Sequence, residues 1–486
     1  MPPTLQHIGS DLPAGVEVIL SIILALLLAP SLVKALILLF SPRSSSSKSS
    51  RPAPTTRSER PFFSIHVATY DEPPELVIAT LRSLAEQTSL AGRYEVLILD
   101  NNTKDPQRYR PVQQFCQRMG RPFRFFHFDQ VAHAKAGALN LGLEEVDQRT
   151  THIITVDADY QVERGFLKRV EELLQESDPS HLQFPQRYRQ LGESNAALSN
   201  EYDQYFKAFA RASQASGEML LTGTMSVIRL KDLRQAGGWP TGSVTEDAAL
   251  GLRLLSQGGS GQYVEETWGR GVIPTTLRDL SRQRHRWAAG NAQVLREALH
   301  RRQISPATLG QLLAWCQGSL LTFGLALLFS FSPATRGLAT ITFAVFLAIV
   351  ILELGLHLAT CSGSLSTRMK SLMFRLALLP EGCGGFLNGL LSNKISFIRT
   401  PKTLRVADSP QTLDIALAAV SFLLGPLLFL LVGPVALFAS CFLSSIFLAR
   451  IWCATALAGA CSGEEETTLT PLSPQLPTPA QKKKAA

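Results

Sequence analysis

HIITVDAD, residues 152–159, is a β-rich run closed by two aspartates with one residue between them. β-Branched residues in a short run read as a buried strand. Acids at its carboxyl end sit where an open α/β sheet presents its ligand-binding crevice. Three similar runs precede it: FFSIHVATY (62–70), YEVLILD (94–100) and FRFFHF (123–128). Helix-like stretches at 74–87, 106–119 and 134–146 lie between them. This alternation predicts an α/β domain with a mostly parallel sheet covered on both faces. Asp71, Asp100 and the pair Asp157 and Asp159 then gather at strand ends.

Outward from this section the text becomes apolar. Of 486 residues, 45% are hydrophobic and 18% charged, with mean hydropathy +0.11, which excludes an ordinary soluble chain. Residues 18–40 are apolar apart from Lys34 and a few small polar groups, long enough to span a bilayer, and lack the basic start of a signal peptide. Further spans are expected at 307–331 and 338–360, and two more within 413–460 around Gly433, five in total. Residues 369–392 mix Arg and Lys with Leu and Phe, the pattern of an interfacial helix.

The expected layout is an N-terminal transmembrane segment (1–42), a basic flexible linker (43–60), a catalytic domain (61–304), transmembrane helices with an interfacial helix and loop (305–461, the latter at 369–405), and a disordered tail (462–486). Net charge is 47 − 39 = +8, concentrated beside the apolar spans. That distribution places the basic segments and the catalytic domain in the cytosol and makes membrane lipids, not nucleic acid, their partner. An integral protein of the inner or plasma membrane, with an external N-terminus and a cytosolic C-terminus, follows. Seven scattered cysteines without a CxxC argue against a disulfide framework or zinc site.

The middle section carries the chemistry. Asp157 and Asp159 offer oxygen ligands of the kind Mg2+ or Mn2+ takes, completed by phosphate oxygens; a pair of turn-forming acids is the alternative. Asp100, followed by Asn101 and Asn102, can accept hydrogen bonds from a ribose or base, or simply form a turn. Thr245-Glu246-Asp247 suits a helix start, with Thr245 as N-cap. A carboxylate fixed there can act as a general base if its surroundings raise its pKa. In Gln283-Arg284-His285-Arg286-Trp287, Trp can stack on a sugar ring and Arg can neutralise a diphosphate. A basic, aromatic belt before the bilayer is the other reading.

In order, Asp100, Asp157/Asp159, Thr245-Glu246-Asp247 and Gln283-x-x-Arg286-Trp287 resemble the D, DxD, TED, QxxRW series of membrane-embedded family 2 glycosyltransferases. Cellulose synthase catalytic subunits and other processive β-glucan synthases belong to that family. Thr69-Tyr70-Asp71-Glu72-Pro73 is similar to its TYNEP stretch, and His133-Ala134-Lys135-Ala136-Gly137 with Asn140 to its HAKAGxLN stretch. Phe397-Ile398-Arg399-Thr400-Pro401-Lys402 is similar to its FxVTPK gating loop, with Arg399 in place of Val. LDNNTKDPQRYRPVQQFC (99–116) resembles bacterial β-1,3-glucan synthase-like members. The chain has fewer expected spans than bacterial cellulose synthases and no recognisable cyclic-di-GMP-binding domain.

The resemblance implies a GT-A-like fold and inverting transfer from a UDP-sugar, with UDP-glucose the first choice. Asp247, with Glu246 beside it, would be catalytic. Asp159 and Asp157 would hold Mg2+ or Mn2+, with Lys135 and Arg286 adding positive charge at the diphosphate. Thr69, Tyr70, Glu72 and Asp100 would hold uracil and ribose. Gln283, Trp287, Gly223 and Thr224 would face the acceptor. Phe397, Thr400, Pro401 and Lys402 would form a lid that excludes water. The acceptor would be a glucan that is extended and extruded, with accessory export subunits as partners. Single-sugar transfer to a lipid is the rival, and a non-catalytic membrane scaffold the third reading.

Overall fold

The computed structural model describes residues 60–87, 92–189, 192–300, 304–317, 319–331, 335–392, 412–432 and 434–462, with positions 90 and 395 and a few between 29 and 40. The expected lid residues Phe397, Thr400, Pro401 and Lys402 lie outside the described residues, as do most of the first span, the linker up to 59 and the tail.

Strands form where the β-branched and aromatic runs predict them. β1 (Phe63–Thr69), β2 (Tyr94–Asn101), β3 (Phe123–Phe128) and β4 (His152–Thr155) run parallel, separated by α1 (Pro74–Ala85), α2 (Pro106–Met119) and α3 (Ala134–Glu144). β5 (Gln161–Val162), α4 (Phe166–Glu176) and β6 (His181–Gln183) follow. α5 (Gly192–Gln204) continues through a π-helical turn (Tyr205–Ala210) into a last helical turn. Then come β7 (Ser226–Arg229), α6 (Leu230–Gln235), α7 (Glu246–Ser256), β8 (Gly261–Tyr263) and β9 (Gly269–Arg270). The main sheet has the order β3-β2-β1-β4-β7-β6-β8, and β7 is antiparallel to both of its neighbours. β5 and β9 form a separate antiparallel pair.

Side-chain alternation assigns the two faces. Val96 and Ile98 of β2 join Leu81, Phe115 and Leu167 of α1, α2 and α4. Leu97 and Leu99 join Leu139, Leu233 and Leu250 of α3, α6 and α7 on the other face. Every β2 residue is buried, as expected of a central parallel strand. The register pairs Thr69 with Asp100 and Phe63 with His152, so the carboxyl ends of β1, β2 and β4 lie side by side.

The remaining chain is helical: α8 (Leu277–His300), α9 (Pro306–Leu313), α10 (Ser319–Ser330), α11 (Arg336–Thr360), α12 (Leu365–Ala377), α13 (Leu379–Leu391), α14 (Thr412–Val432) and α15 (Pro434–Ser462). Among the described residues, two helices are long and apolar enough to cross a membrane, Gly337–Thr360 and Val435–Ala458. Only 33% and 39% of their most apolar windows are buried. Ile341, Ile351, Phe438 and Leu448 are each more than half exposed. A helix in a soluble core would be largely covered, and these are not.

The stretch 307–331, expected as one span, is two helices. Its first part is held by the catalytic domain: Gln311 donates to the Glu218 carbonyl at 2.9 Å and accepts from the Leu220 N–H at 2.8 Å. The expected interfacial helix at 369–392 divides into α12 and α13 at Leu378. α13 lies against α8 with glycines at the contact. A Cβ on Gly385 or Gly389 would stand 2.5 Å or 2.1 Å from the carbonyl oxygens of His285 or Ala289. Small residues permit this close helix approach.

Candidate active site

A cleft of about 390 Å³ opens at the carboxyl ends of β1 and β4. Its sheet wall carries Thr69 at the end of β1, Tyr70 and Glu72 after it, Lys135 in the first turn of α3, and Asp157 and Asp159 after β4. Lys135 Nζ donates to Asp157 Oδ1 at 2.6 Å and to the Gly223 carbonyl at 3.0 Å. Burial works to lower the pKa of this ammonium, but the carboxylates of Asp157, Glu246 and Asp247 outweigh it and the pKa rises. Asp159 Oδ2 accepts the Val272 N–H at 2.9 Å.

Two expected residues lie behind this wall. Asp100 is buried; its Oδ1 accepts the hydroxyls of Thr69 at 2.9 Å and Thr103 at 2.7 Å. Its Oδ2 lies 2.7 Å from His127 Nδ1, and the His127 ring stacks on Tyr109 at 4.0 Å. Thr224, expected to face an acceptor, is also buried, because its hydroxyl accepts the Asp157 N–H at 3.0 Å.

The helix wall carries Glu246 and Asp247 in the first turn of α7, and Gln283, Arg286 and Trp287 of α8. The i, i+3, i+4 spacing of the last three places them on one helical face. Thr245 occupies the N-cap position, but its side chain makes no capping bond; its hydroxyl lies 3.3 Å from Ser243 Oγ. Asp247 Oδ1 accepts the Ala248 N–H at 2.8 Å. Burial, reinforced by the neighbouring Glu246 carboxylate, raises the Asp247 pKa from 3.8 to about 7. Gly223 closes the gap between the walls with φ +90°, and a Cβ there would stand 2.7 Å from Asp247 Oδ2. Glycine is therefore required both by the backbone conformation and by the space.

Aromatic side chains extend the helix wall. The Trp287 ring meets Tyr202 edge-on at 5.6 Å and Trp315 at 5.1 Å, and Tyr202 lies 4.6 Å from Tyr188. Tyr202 Oη donates to Gln283 Oε1 at 2.5 Å. Beyond Asp247 a second hollow of about 50 Å³ lies among Tyr202, Tyr205, Trp287, Asn291 and Trp315. Sequence reasoning missed Tyr188, Tyr202, Tyr205 and Trp315. They come from α5, from the π-helical turn and from chain flanking other elements, with no motif around them.

A mostly parallel sheet with acids at adjoining strand ends, facing the half-buried Asp247 carboxylate across one cleft, defines the class: a GT-A-like glycosyltransferase domain. Residues 64–237 match the family described as glycosyl transferase family 2, and residues 152–356 match glycosyl transferase family group 2. A cellulose synthase catalytic subunit (UDP-forming) of Pseudomonas fluorescens is 26% identical over 249 residues, 50% of this chain and 32% of that protein. Glucomannan 4-beta-mannosyltransferase 2 of Arabidopsis thaliana is 27% identical over 216 residues, 43% of this chain and 40% of that protein. The matches thus span about a third to two-fifths of those relatives. Among solved structures, a mannosyltransferase of Pyrobaculum calidifontis in complex with GDP-Man and Mn2+ aligns with TM-score 0.45 and 18% identity over 68% of this chain and 97% of that one. Residues 64–356 thus carry overlapping matches to two glycosyltransferase family 2 descriptions, and about half of the chain is similar to cellulose synthase catalytic subunits.

Proposed function

We propose that this chain is a membrane-embedded inverting glycosyltransferase that uses a UDP-sugar, with UDP-glucose the first choice, to extend a β-glucan at the cytosolic membrane face. The observation that carries the reading is Asp247: a carboxylate with pKa about 7, in the same cleft as Asp157, Asp159 and Lys135 and beside the Gln283–Trp287 wall. A base so tuned is half-ionised near neutral pH, where general-base catalysis is most effective. Asp247 takes the proton of the acceptor hydroxyl as that oxygen bonds to the sugar's anomeric carbon. The bond from that carbon to UDP breaks on the opposite face, and the electron pair leaves with the diphosphate. Lys135 and Arg286 supply positive charge for the leaving group. Trp287 offers a face for stacking an acceptor sugar, and Gln283 orients it.

Asp157 and Asp159 fit a divalent cation. They supply carboxylate oxygens at the cleft, with Lys135 and Arg286 among the other residues lining it. Mg2+ and Mn2+ complete such a set with phosphate oxygens and water. When bound, the ion would neutralise developing charge on the diphosphate. The aligned relatives support a UDP-sugar and a glycan product: one is a UDP-forming cellulose synthase subunit and the other a glucomannan 4-beta-mannosyltransferase. The exposed apolar surfaces of the two long helices support integration into a membrane, and accessory export subunits belong to the same reading.

One observation favours the rival acceptor. The hollow beyond Asp247 holds about 50 Å³, whereas an engineered cavity that accepts a benzene-sized ring is about 150 Å³. A lipid hydroxyl needs less room behind the base than a glucan end. Incubating membranes that contain the protein with radiolabelled UDP-sugars, followed by linkage analysis, separates the readings. A β-linked polymer supports the first, a lipid-linked monosaccharide supports the second, and no incorporation defeats both.

A further inference from the structure

Glu201 of α5 lies outside the cleft and is 1% exposed. Its Oε1 accepts from Arg284 of α8 at 2.8 Å, and its Oε2 from Arg375 of α12 at 3.2 Å. His357 Nε2 of α11 lies 3.8 Å from that second oxygen, and Arg375 also donates to Gln204. One carboxylate thus ties α5 to three helices of the C-terminal section. Buried ion pairs are poor sources of net stability, so a fixed geometry is a better reason to look for one.

The geometry in question is the helix wall of the cleft. Tyr202, next to Glu201, donates to Gln283, and Arg284 is the residue after Gln283. The Arg284 guanidinium carbon stands 4.2 Å from the Trp315 ring centre, and Trp315 meets Trp287 at 5.1 Å. Arg284 Nε and its second terminal nitrogen have no hydrogen-bond partner among the described residues. Stacking on the indole face accounts for that arrangement. Two adjacent residues of α5 therefore grip two adjacent residues of α8, one pair facing the cleft and the other facing α11 and α12.

We propose that Glu201 and Arg284 are positioning residues, which hold Tyr202, Gln283 and Trp287 in register with α11 and α12. Acceptor capture then depends on how these helices are seated, while UDP-sugar binding on the sheet wall does not. This rests on the proposed transfer from a UDP-sugar.

The test uses the full chain in membranes and in detergent, with Arg284→Lys and Glu201→Gln. Glu171→Gln serves as the control, since Glu171 pairs with Arg93 on the far side of the domain at 2.5 Å. Three quantities are read: UDP affinity by calorimetry with Mn2+, the KM for acceptor, and the ratio of UDP-sugar hydrolysis to transfer. Misplacement of a positioning wall predicts an acceptor KM up by about tenfold and a several-fold higher hydrolysis ratio, with UDP affinity within about twofold of wild type. The control variant keeps all three. An unchanged ratio in folded Arg284→Lys overturns the proposal, and so does a parallel loss of UDP binding and transfer. Arg284→Lys keeps the charge opposite Glu201, so it decides alone if Glu201→Gln does not fold. Failure of both to fold assigns the pair to stability and also overturns the proposal. A wild-type protein that binds no UDP and turns over no UDP-sugar defeats the functional reading itself, an outcome distinct from all of these.

Discussion

The sheet wall and the helix wall of the cleft hold their side chains by different means. On the sheet wall, Thr69 and Asp157 follow from where parallel strands end, and each is steadied by a neighbouring strand end or loop: Thr69 by Asp100, Asp157 by Thr224. On the helix wall, Asp247 depends on α7, which packs on the sheet through Leu250 and meets α8 and α9 through Leu252, while Trp287 depends on α8, which is bonded to α5 and packed on α13. The first wall is local to the sheet and rigid by register. The second is assembled across the boundary with the apolar section. Nucleotide binding should therefore be insensitive to changes in the C-terminal helices, whereas acceptor handling should not.

The largest effect sharpens the sheet side. Asp159→Ala abolishes turnover and weakens metal-dependent UDP binding, measured by calorimetry with and without Mn2+. An unchanged metal dependence would make the pair of acids a turn and nothing more. Asp247→Asn comes next: transfer falls about a hundredfold or more, with UDP affinity little changed. Near-wild-type transfer would remove Asp247 as the base.

Gly223→Ala strikes the point where the walls meet, since the Gly223 carbonyl holds Lys135 and its Cα faces Asp247. A side chain at φ +90° both strains the turn and displaces the base, so transfer falls by about tenfold or more while the protein stays folded. The measurement is initial rate alongside a thermal melt.

The pH profile is a gentler test. A base with pKa about 7 makes kcat/KM rise with pH through about 7 and level off above it. Glu246→Gln removes the like charge that helps to raise this pKa, so the midpoint moves to lower pH. For stability the sign is the reverse of an ordinary ion-paired acid. The folded carboxyl keeps its proton up to about 7 while the unfolded one releases it near 3.8, so this group's contribution declines as pH rises across that window. Smallest is Tyr202→Phe, which removes the bond to Gln283. A hydrogen bond worth about 1 kcal/mol predicts a rise of several-fold in acceptor KM and no change in UDP affinity.

The contrast between the walls also explains what could be read in the sequence. Apolar runs ending in Asp marked β1, β2 and β4, and the expected helix at 106–119 is the observed one, because strand propensity and helix starts are local properties. The short β6 and β8 gave no signal: three residues each, HLQ and GQY, show no period, and their pairing is decided by the sheet. Asp157, Asp159, Glu246 and Asp247, which line the cleft, stood out as acids at element ends and were singled out by their resemblance to the family's motif series. Tyr202 and Trp315 could not be, since their role comes from packing between helices far apart in sequence. The single span expected at 307–331 failed for the same reason: hydropathy does not show that Gln311 is bonded into the catalytic domain.

The glycine contact between α8 and α13 has a consequence for biosynthesis. Chains emerge N-terminus first, so α8 is made well before its neighbour. Until Gly385 and Gly389 arrive, Ala288, Ala289 and Ala292 of α8 lack the surface that buries them in the finished protein. The seating of α8 is thus deferred to a late stage of synthesis. A translation product that stops before Leu379 would carry every described cleft residue and still lack the helix against which α8 is seated.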